Sequence, residues 1–309
     1  MIARLQINMV RKSLVNLIGL FNTVKFTFGL LCLAWLVTSP SLAQKESAAT
    51  ISESDYEQHI QALRQNMPDV GFNIRVEAPF VVIGDESAEM LEARCRSIRW
   101  AVQRLKKQYF PHDPDHIIDI WLFKDKTSYE KNVTTLHGVK PGTPYGYYSS
   151  RHNSLVMNIS TGGGTLVHEL VHPFIERNFP DCPSWFNEGL ASLYEQSQDH
   201  EGKIVGLTNW RLNGLQRAIA AGTVPTFQTL CETTTQQFYR EDPGTNYSQA
   251  RYLCYYLQQK GQLNTFYHQF VANVEQDPSG YETLKSVLKT TDMPKFKTEW
   301  AMWVSRLKF

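Results

Sequence analysis

The pattern of apolar and polar residues divides the chain into a strand-rich part and a helical part. In the strand-rich part, "FNIRVEAPFVVIGD" at 72–85 alternates and then becomes apolar and β-branched, which predicts one or two strands. "IIDIWLF" at 117–123 predicts a buried strand, and "YGYYSSRHNSLVMNIS" at 145–160 predicts two short strands around a polar turn. We expect these strands to form the sheet of an N-terminal lobe.

Helical periodicity appears between these strands and dominates after residue 183. "DYEQHIQALRQNM", "SAEMLEARCRSIRWAVQRLKKQYF" and "KTSYEKNVTTLH" predict three helices, with Ser87 as the N-cap of the second. The rest of the chain carries a series of helix-like segments from "PSWFNEGLASLYEQ" to "FKTEWAMWVSRL". This order predicts an α+β fold, a single two-lobed domain with an α/β lobe at 55–180 and a helical lobe at 181–309. The small polar residues of 44–54 predict a flexible linker before it.

The first 43 residues have the pattern of an export signal. Four basic residues and no acidic one accompany the apolar run "FTFGLLCLAWLV", and Ser41-Leu42-Ala43 resembles a signal-peptidase site. A second apolar patch, "LVNLIGLF", leaves an uncleaved membrane anchor as the alternative, although neither run reaches the ~20 residues of a spanning helix. We therefore expect an exported protein, periplasmic or secreted, or one anchored with its folded part outside the cytoplasm.

Charge and cysteine content narrow the possible partners and leave the disulfides open. Removing the first 43 of the 309 residues takes four positive charges from a formal net charge of +1, which leaves −3 on 266 residues. That balance argues against a nucleic-acid partner. Four cysteines then remain, and in an exported protein they either form disulfides or stay as buried thiols. Both alternatives stand for Cys95, Cys182, Cys231 and Cys254.

The candidate chemistry lies in "GGGTLVHELVHPFIERNF", residues 162–179. His168 and His172 are four residues apart, so on a helix they share a face, where two neutral imidazoles can bind one Zn²⁺. Glu169 follows the first histidine, in a position from which a carboxylate can act as a general base on water. The opposite face is apolar and predicts that the helix is buried between the lobes.

A third ligand is available further along the chain. The metzincin pattern is excluded because Ile175 and Asn178 stand where it needs glycine and histidine. Instead, "SWFNEGLASLYE" places Glu188 16 residues after His172, on a new helix for which Ser184 is the candidate N-cap. Two histidines and one carboxylate leave one position for water, which is the composition of a catalytic zinc site.

"HELVH" followed by "NEGLA" resembles the gluzincin zinc metallopeptidases, and within them the peptidase MA-like domains. The resemblance covers 146–195, and more loosely the chain to residue 261. It implies a thermolysin-like zincin catalytic domain in which His168, His172 and Glu188 bind one zinc ion and Glu169 is the general base. It also implies that "SLVMNIS", 154–160, is the edge strand along which an extended peptide pairs.

The resemblance further implies a tyrosine or histidine of the helical lobe that stabilises an oxyanion. "NYSQARYLCYYL" offers Tyr247, Arg251 and Tyr252. Tyr247 is most similar in placement, because it lies near the start of that helix and ahead of its apolar core positions. The alternative is that its ring only packs against neighbouring side chains.

Two features depart from the gluzincin pattern. Pro173 removes an amide from the motif helix, so the helix should kink, loosen or end there. Some gluzincins carry a carboxylate one turn after the glutamate ligand, a place taken here by alanine and serine. Glu195 and Asp181 are the candidate substitutes for orienting a ligand imidazole.

The sequence therefore predicts an exported zinc metallopeptidase that hydrolyses peptide bonds with metal-activated water, acting on a peptide or protein substrate. Two alternatives keep the fold and change the activity. One is a non-catalytic peptide-binding or scaffold module, and the other is a zinc hydrolase of a non-peptide amide or ester. A third alternative has the histidines as core residues without metal. A membrane is a predicted partner only through an uncleaved N-terminal anchor.

Overall fold

A computed structural model describes residues 51–67, 71–241 and 245–309 of the chain. The predicted export signal and most of the predicted linker lie outside these residues. The described residues belong to one compact unit. Among them, no helix is long and apolar enough to cross a membrane.

A five-stranded mixed sheet forms the centre of the N-terminal part. The strands are β1 (Asn73–Glu77), β2 (Phe80–Gly84), β3 (Ile118–Phe123), β4 (Gly146–Ser149) and β5 (Ser154–Asn158). Their order is β1-β2-β3-β5-β4, in which β2, β3 and β5 run parallel and the two outer strands antiparallel to their neighbours. The apolar, β-branched runs of the sequence form the three central strands β2, β3 and β5. Helices cover both faces of a sheet with parallel strands, so both sides of these strands are buried and carry apolar residues.

Helices form a layer on each face of this sheet. The layer of α1 (Glu53–Asn66) and α3 (Lys126–His137) packs on side chains such as Val81 and Trp121. The layer of α2 (Ala88–Gln108) and α4 (Gly163–Asn178) packs on alternate positions of the same strands, such as Val82 and Ile120. The predicted cap Ser87 is confirmed, since its side chain accepts a hydrogen bond from the Met90 amide.

The C-terminal part is mainly helical but contains a hairpin. The helices are α5 (Ser184–Leu193), α6 (Arg211–Ala220), α7 (Phe227–Cys231), α8 (Thr235–Arg240), α9 (Asn246–Gln259), α10 (Leu263–Asn273), α11 (Tyr281–Leu288) and α12 (Met293–Ser305). The hairpin of β6 (Ser197–His200) and β7 (Lys203–Gly206) corrects the expectation of helices alone. Sequence pattern missed it because β6 is entirely polar and has no apolar alternation.

Two local expectations are wrong. The segment 154–160 is not an edge strand, because β5 lies between β3 and β4, and the edge belongs to β4. Ser184 is the first residue of α5, not its N-cap, and its hydroxyl donates to the Thr235 hydroxyl at 3.1 Å. The residue at the cap position is Pro183.

Pro173 does not end the motif helix. The helix continues to Asn178, and the Phe179 amide still donates to the Ile175 carbonyl at 2.7 Å. A proline inside a helix removes one backbone hydrogen bond, and burial of the flanking apolar residues offsets that loss.

The four cysteines are free thiols. Cys95, Cys231 and Cys254 are buried, and Cys182 is half-buried. The structure therefore supports free thiols rather than disulfides for these four cysteines.

Candidate metal centre

The motif helix α4 brings two histidines and a carboxylate together. The rings of His168 and His172 lie with centroids 5.0 Å apart and planes at 74°. One ligand atom from each of His168, Glu169 and His172 lies within 4.8 Å of the other two. The predicted apolar stripe on the other face is confirmed, since Leu170, Val171 and Phe174 are completely buried. The apolar face of the helix thus packs in the core, and both histidines lie on the opposite face.

Gly164 sets the position of this helix against the segment after α5. A Cβ atom at this residue would lie 2.0 Å from the Glu195 carbonyl oxygen, so no larger residue fits. Gly164 is the last of three consecutive glycines. Its close approach to the backbone of Glu195 brings Glu195 beside the histidines.

Glu188 reaches His168 from α5. Its Oε2 lies 3.2 Å from His168 Nε2, and its Oε1 accepts a hydrogen bond from the Tyr239 hydroxyl at 2.6 Å. The first contact lacks hydrogen-bond geometry, so within the described chain Oε2 is buried without a hydrogen-bond partner. Burial alone would raise the pKa of Glu188, but His172, His168 and Tyr239 lower it to about 2.

Oxygen atoms also lie beside the other nitrogen of each ring. Asn187 Oδ1 lies 2.8 Å from His172 Nδ1, and Glu195 Oε1 lies 3.2 Å from His168 Nδ1. Oxygens at Nδ1 leave Nε2 of each ring for a metal, a common arrangement around metal-binding histidines. Asp181, the other residue considered for this role, is exposed. Asn187 was missed, although it precedes Glu188 in the recognised segment.

Glu195 is itself held from α6 and the loop before it. Arg211 donates from Nε to Oε2 at 3.1 Å and from Nη2 to Oε1 at 2.8 Å, and Asn209 Nδ2 donates to Oε2 at 2.9 Å. Burial would raise the pKa of Glu195, but His168 and Arg211 lower it to about 2. Arg211 and Asn209 were not predictable as site residues, because "NWRLNG" carries no motif and its contacts to Glu195 are non-local.

The donor set fits a divalent cation. With both histidines neutral, the carboxylates of Glu169, Glu188 and Glu195 and the Arg211 guanidinium carry a net charge of −2. Buried charge of one sign is costly unless it is compensated. Imidazole nitrogen and carboxylate oxygen are common zinc ligands. The unpartnered Glu188 Oε2 beside His168 Nε2 is the position where such an ion would be expected.

Glu169 lines two neighbouring cavities. One, of about 550 Å³, is lined by Tyr145, Thr165, Trp210 and Arg211, and we refer to it as the Arg211 cavity. The other, of about 540 Å³, is lined by Tyr148, Glu176, Pro180 and Tyr239, and we refer to it as the Glu176 cavity. Both cavities are also lined by Gly146, His168, Glu169 and Tyr247. Together they form a cleft along the edge strand β4.

The three candidates for oxyanion stabilisation, Tyr247, Arg251 and Tyr252, lie in different surroundings in the structure. Arg251 is fully buried and donates from Nε to the Ser192 carbonyl at 2.9 Å, and the Tyr252 hydroxyl accepts from the Asn209 amide at 3.1 Å. Only Tyr247 of the three lines the cleft. Its hydroxyl has no hydrogen-bond partner in the part of the chain that is described. Burial, followed by the charge of Glu188, raises the pKa of Tyr247, so the phenol keeps its proton.

The chain matches no family model, and no curated protein matches it.

Proposed function

We propose that this chain is an exported zinc-dependent peptidase of the gluzincin type, with a thermolysin-like zincin fold. The observation that supports it best is the convergence of Glu188 Oε2 and His168 Nε2 at 3.2 Å while oxygen atoms lie beside both Nδ1 atoms. Glu169 lies beside this point in a cleft open to solvent. A ligand cluster in a cleft favours a catalytic site over a structural one.

In this proposal His168, His172 and Glu188 hold one zinc ion. Zinc, when bound, makes water more acidic and polarises a carbonyl oxygen. Glu169 takes a proton from the attacking water and passes it to the leaving amine nitrogen. Asn187 and Glu195 hold the two imidazole rings in position, and burial of the side chains around them limits their movement.

The substrate lies along β4 in this proposal. An edge strand has unpaired backbone groups with which an extended peptide can pair. Gly146 of β4 lines the same cavity as His168 and Glu169, so pairing there brings a peptide carbonyl to the site. Tyr247 then donates its phenolic hydrogen to the oxygen that gains negative charge.

The test measures metal and turnover in the same preparations. Zinc content and cleavage of a quenched fluorescent peptide library are compared in the wild type, Glu169→Gln and His168→Ala. We expect near-stoichiometric zinc in the wild type and Glu169→Gln, zinc loss in His168→Ala, and cleavage by the wild type alone.

Three outcomes would contradict the proposal. Undiminished cleavage by Glu169→Gln would exclude Glu169 as the base. Bound zinc without cleavage of any peptide would favour a binding module or a hydrolase of other amides and esters. Metal absent from all three preparations would leave the histidines as core residues.

A further inference from the structure

The two cavities beside Glu169 differ in charge. In the Arg211 cavity, the guanidinium of Arg211 is paired with Glu195 at 2.8 Å. The Glu176 cavity is lined by the carboxylates of Glu169, Glu176 and Glu188, and no lysine or arginine is among its described lining residues. In the proposed enzyme, zinc balances Glu169 and Glu188. Glu176 is exposed to solvent and then keeps its negative charge, with no lysine or arginine beside it among the described lining residues.

Glu176 lies at a definite place relative to Glu169. The two residues are seven apart on α4, so they share a helix face and are separated by about 10 Å along the axis. The Tyr148 hydroxyl donates to Glu176 Oε2 at 2.8 Å, which ties the carboxylate to β4. No cationic side chain within the described ranges forms an ion pair with Glu176, whereas its neighbour Arg177 pairs with Asp115 at 3.4 Å.

The direction of the edge strand β4 determines which side of a bound peptide would lie at Glu176. Gly146 lines both cavities together with Glu169, and the Tyr148 hydroxyl donates to Glu176, so the order of residues along β4 follows their order along α4. A peptide paired antiparallel to β4, the more stable pairing, places its N-terminal side at Glu176. About 10 Å corresponds to roughly three residues of an extended chain.

From this geometry we infer that the Glu176 cavity binds a cationic group, an ammonium or guanidinium, on the N-terminal side of the substrate's cleaved bond. The inference rests on the proposed peptidase function and names its substrate class. Two sources supply this chemistry, a lysine or arginine side chain within about three residues of the bond, or the free α-amine of a short peptide. Glu176 is the specificity-determining residue, and Tyr148 positions its carboxylate.

The experiment uses the purified protein and one set of fluorogenic peptides with a common cleaved bond. Lysine, glutamine or glutamate stands at each of the three positions before that bond, and every peptide is made with a free and with an acetylated N-terminus. We expect the wild type to favour the lysine over the glutamate peptides by about tenfold in kcat/KM, mainly through KM, as for a hydrogen bond to a charged group. Preference for lysine in acetylated peptides identifies a side chain, and preference for free over acetylated peptides identifies the α-amine.

Variants test whether Glu176 carries the preference. Glu176→Gln should abolish it, Glu176→Lys should reverse it, and Tyr148→Phe should weaken it. Glu275→Gln, an exposed glutamate on the C-terminal side of α10, is the matched control and should retain it. A preference that survives in Glu176→Gln, or a wild type that ignores charge while cleaving the peptides, would overturn the inference and leave the peptidase function intact.

A binding measurement keeps the inference testable without turnover. Fluorescence anisotropy of the same peptides is compared in Glu169→Gln and in the double variant Glu169→Gln/Glu176→Gln. Tighter binding of the cationic peptides, by about tenfold and only with Glu176 present, would support the cavity's role even if no peptide is cleaved. Equal binding of all peptides to both variants would overturn it.

Discussion

Within the described residues, two pairs of histidines lie in ring contact, and they differ in ring geometry and in surroundings. His168 and His172 lie on one helix, with ring centroids 5.0 Å apart and planes at 74°. His137, at the end of α3, stacks on His152, in the turn between β4 and β5, with centroids 4.2 Å apart and planes at 14°. The first pair lies between packed helices, and the second lies at the outer edge of the sheet.

The neighbouring oxygen atoms distinguish the two pairs. Carboxylate oxygens of Glu188 and Glu195 lie 3.2 Å from the two nitrogens of His168. The second pair contacts hydroxyl groups instead, the Tyr147 hydroxyl at 2.6 Å from His137 Nδ1 and the Ser149 hydroxyl at 2.9 Å from His152 Nδ1. Of these two pairs, the first therefore has the nitrogen and carboxylate donors that the proposed zinc site needs. Carboxylates that converge on the imidazoles supply the negative charge that a divalent cation needs.

The pKa directions follow from the same difference. Burial alone would lower the pKa of His168, but Glu188 and Glu195 raise it well above its usual value. Burial, and after it the neighbouring His152, lowers the pKa of His137. One pair thus lies in a field that attracts cations, and the other in surroundings that disfavour positive charge.

The largest expected effect comes from removing the carboxylate that distinguishes the first pair. Glu188→Ala should lose most bound zinc, because two histidines remain and the third ligand is gone. His152→Ala, which removes a histidine from the second pair, is the control and should retain full zinc content. Both are measured by elemental analysis after dialysis against a weak chelator. Zinc loss in His152→Ala and retention in Glu188→Ala would reverse the assignment of the two pairs.

The next effect concerns the tyrosines near the first pair. Tyr247→Phe should lower kcat by ~10²-fold or more with zinc content unchanged, because it removes a donor to the developing oxyanion. Tyr255→Phe, on the same helix α9 and packed against Trp303, is the control and should keep kcat. Tyr239 donates to Glu188, so Tyr239→Phe should weaken zinc binding instead. A kcat loss found in Tyr239→Phe and absent in Tyr247→Phe would move the role to Tyr239.

Sequence pattern predicted the parts of this structure that depend on local periodicity. The central strands, helices α1 to α4 and the buried face of the motif helix follow from the spacing of apolar residues. Helical spacing also predicted that His168 and His172 share a face, and Glu188 does meet His168.

Contacts between distant segments were not predictable in this way. The edge position of β4 depends on which side of β5 the hairpin folds back, and alternation does not encode that choice. Arg211 reaches Glu195 across a hairpin that sequence pattern missed. The stacking of His137 on His152 joins residues 15 apart, through a loop whose path the sequence does not give.

The smallest expected effect is a pH dependence of the second pair. Because the folded-state pKa of His137 is below its usual value of 6.5, the unfolded chain binds a proton at a higher pH than the folded protein. This histidine therefore contributes stability above about pH 6.5 that is lost as the pH falls through its folded-state pKa. In protein stripped of metal, lowering the pH from about 7.5 to about 5 should reduce Tm more in the wild type than in His137→Gln, by on the order of 2 °C. The same substitution at the exposed His200 on β6 should leave the wild-type dependence unchanged. An equal loss of Tm in the wild type and His137→Gln would mean that the stacked pair takes up its protons without cost, and the contrast between the two pairs would then rest on the carboxylates alone.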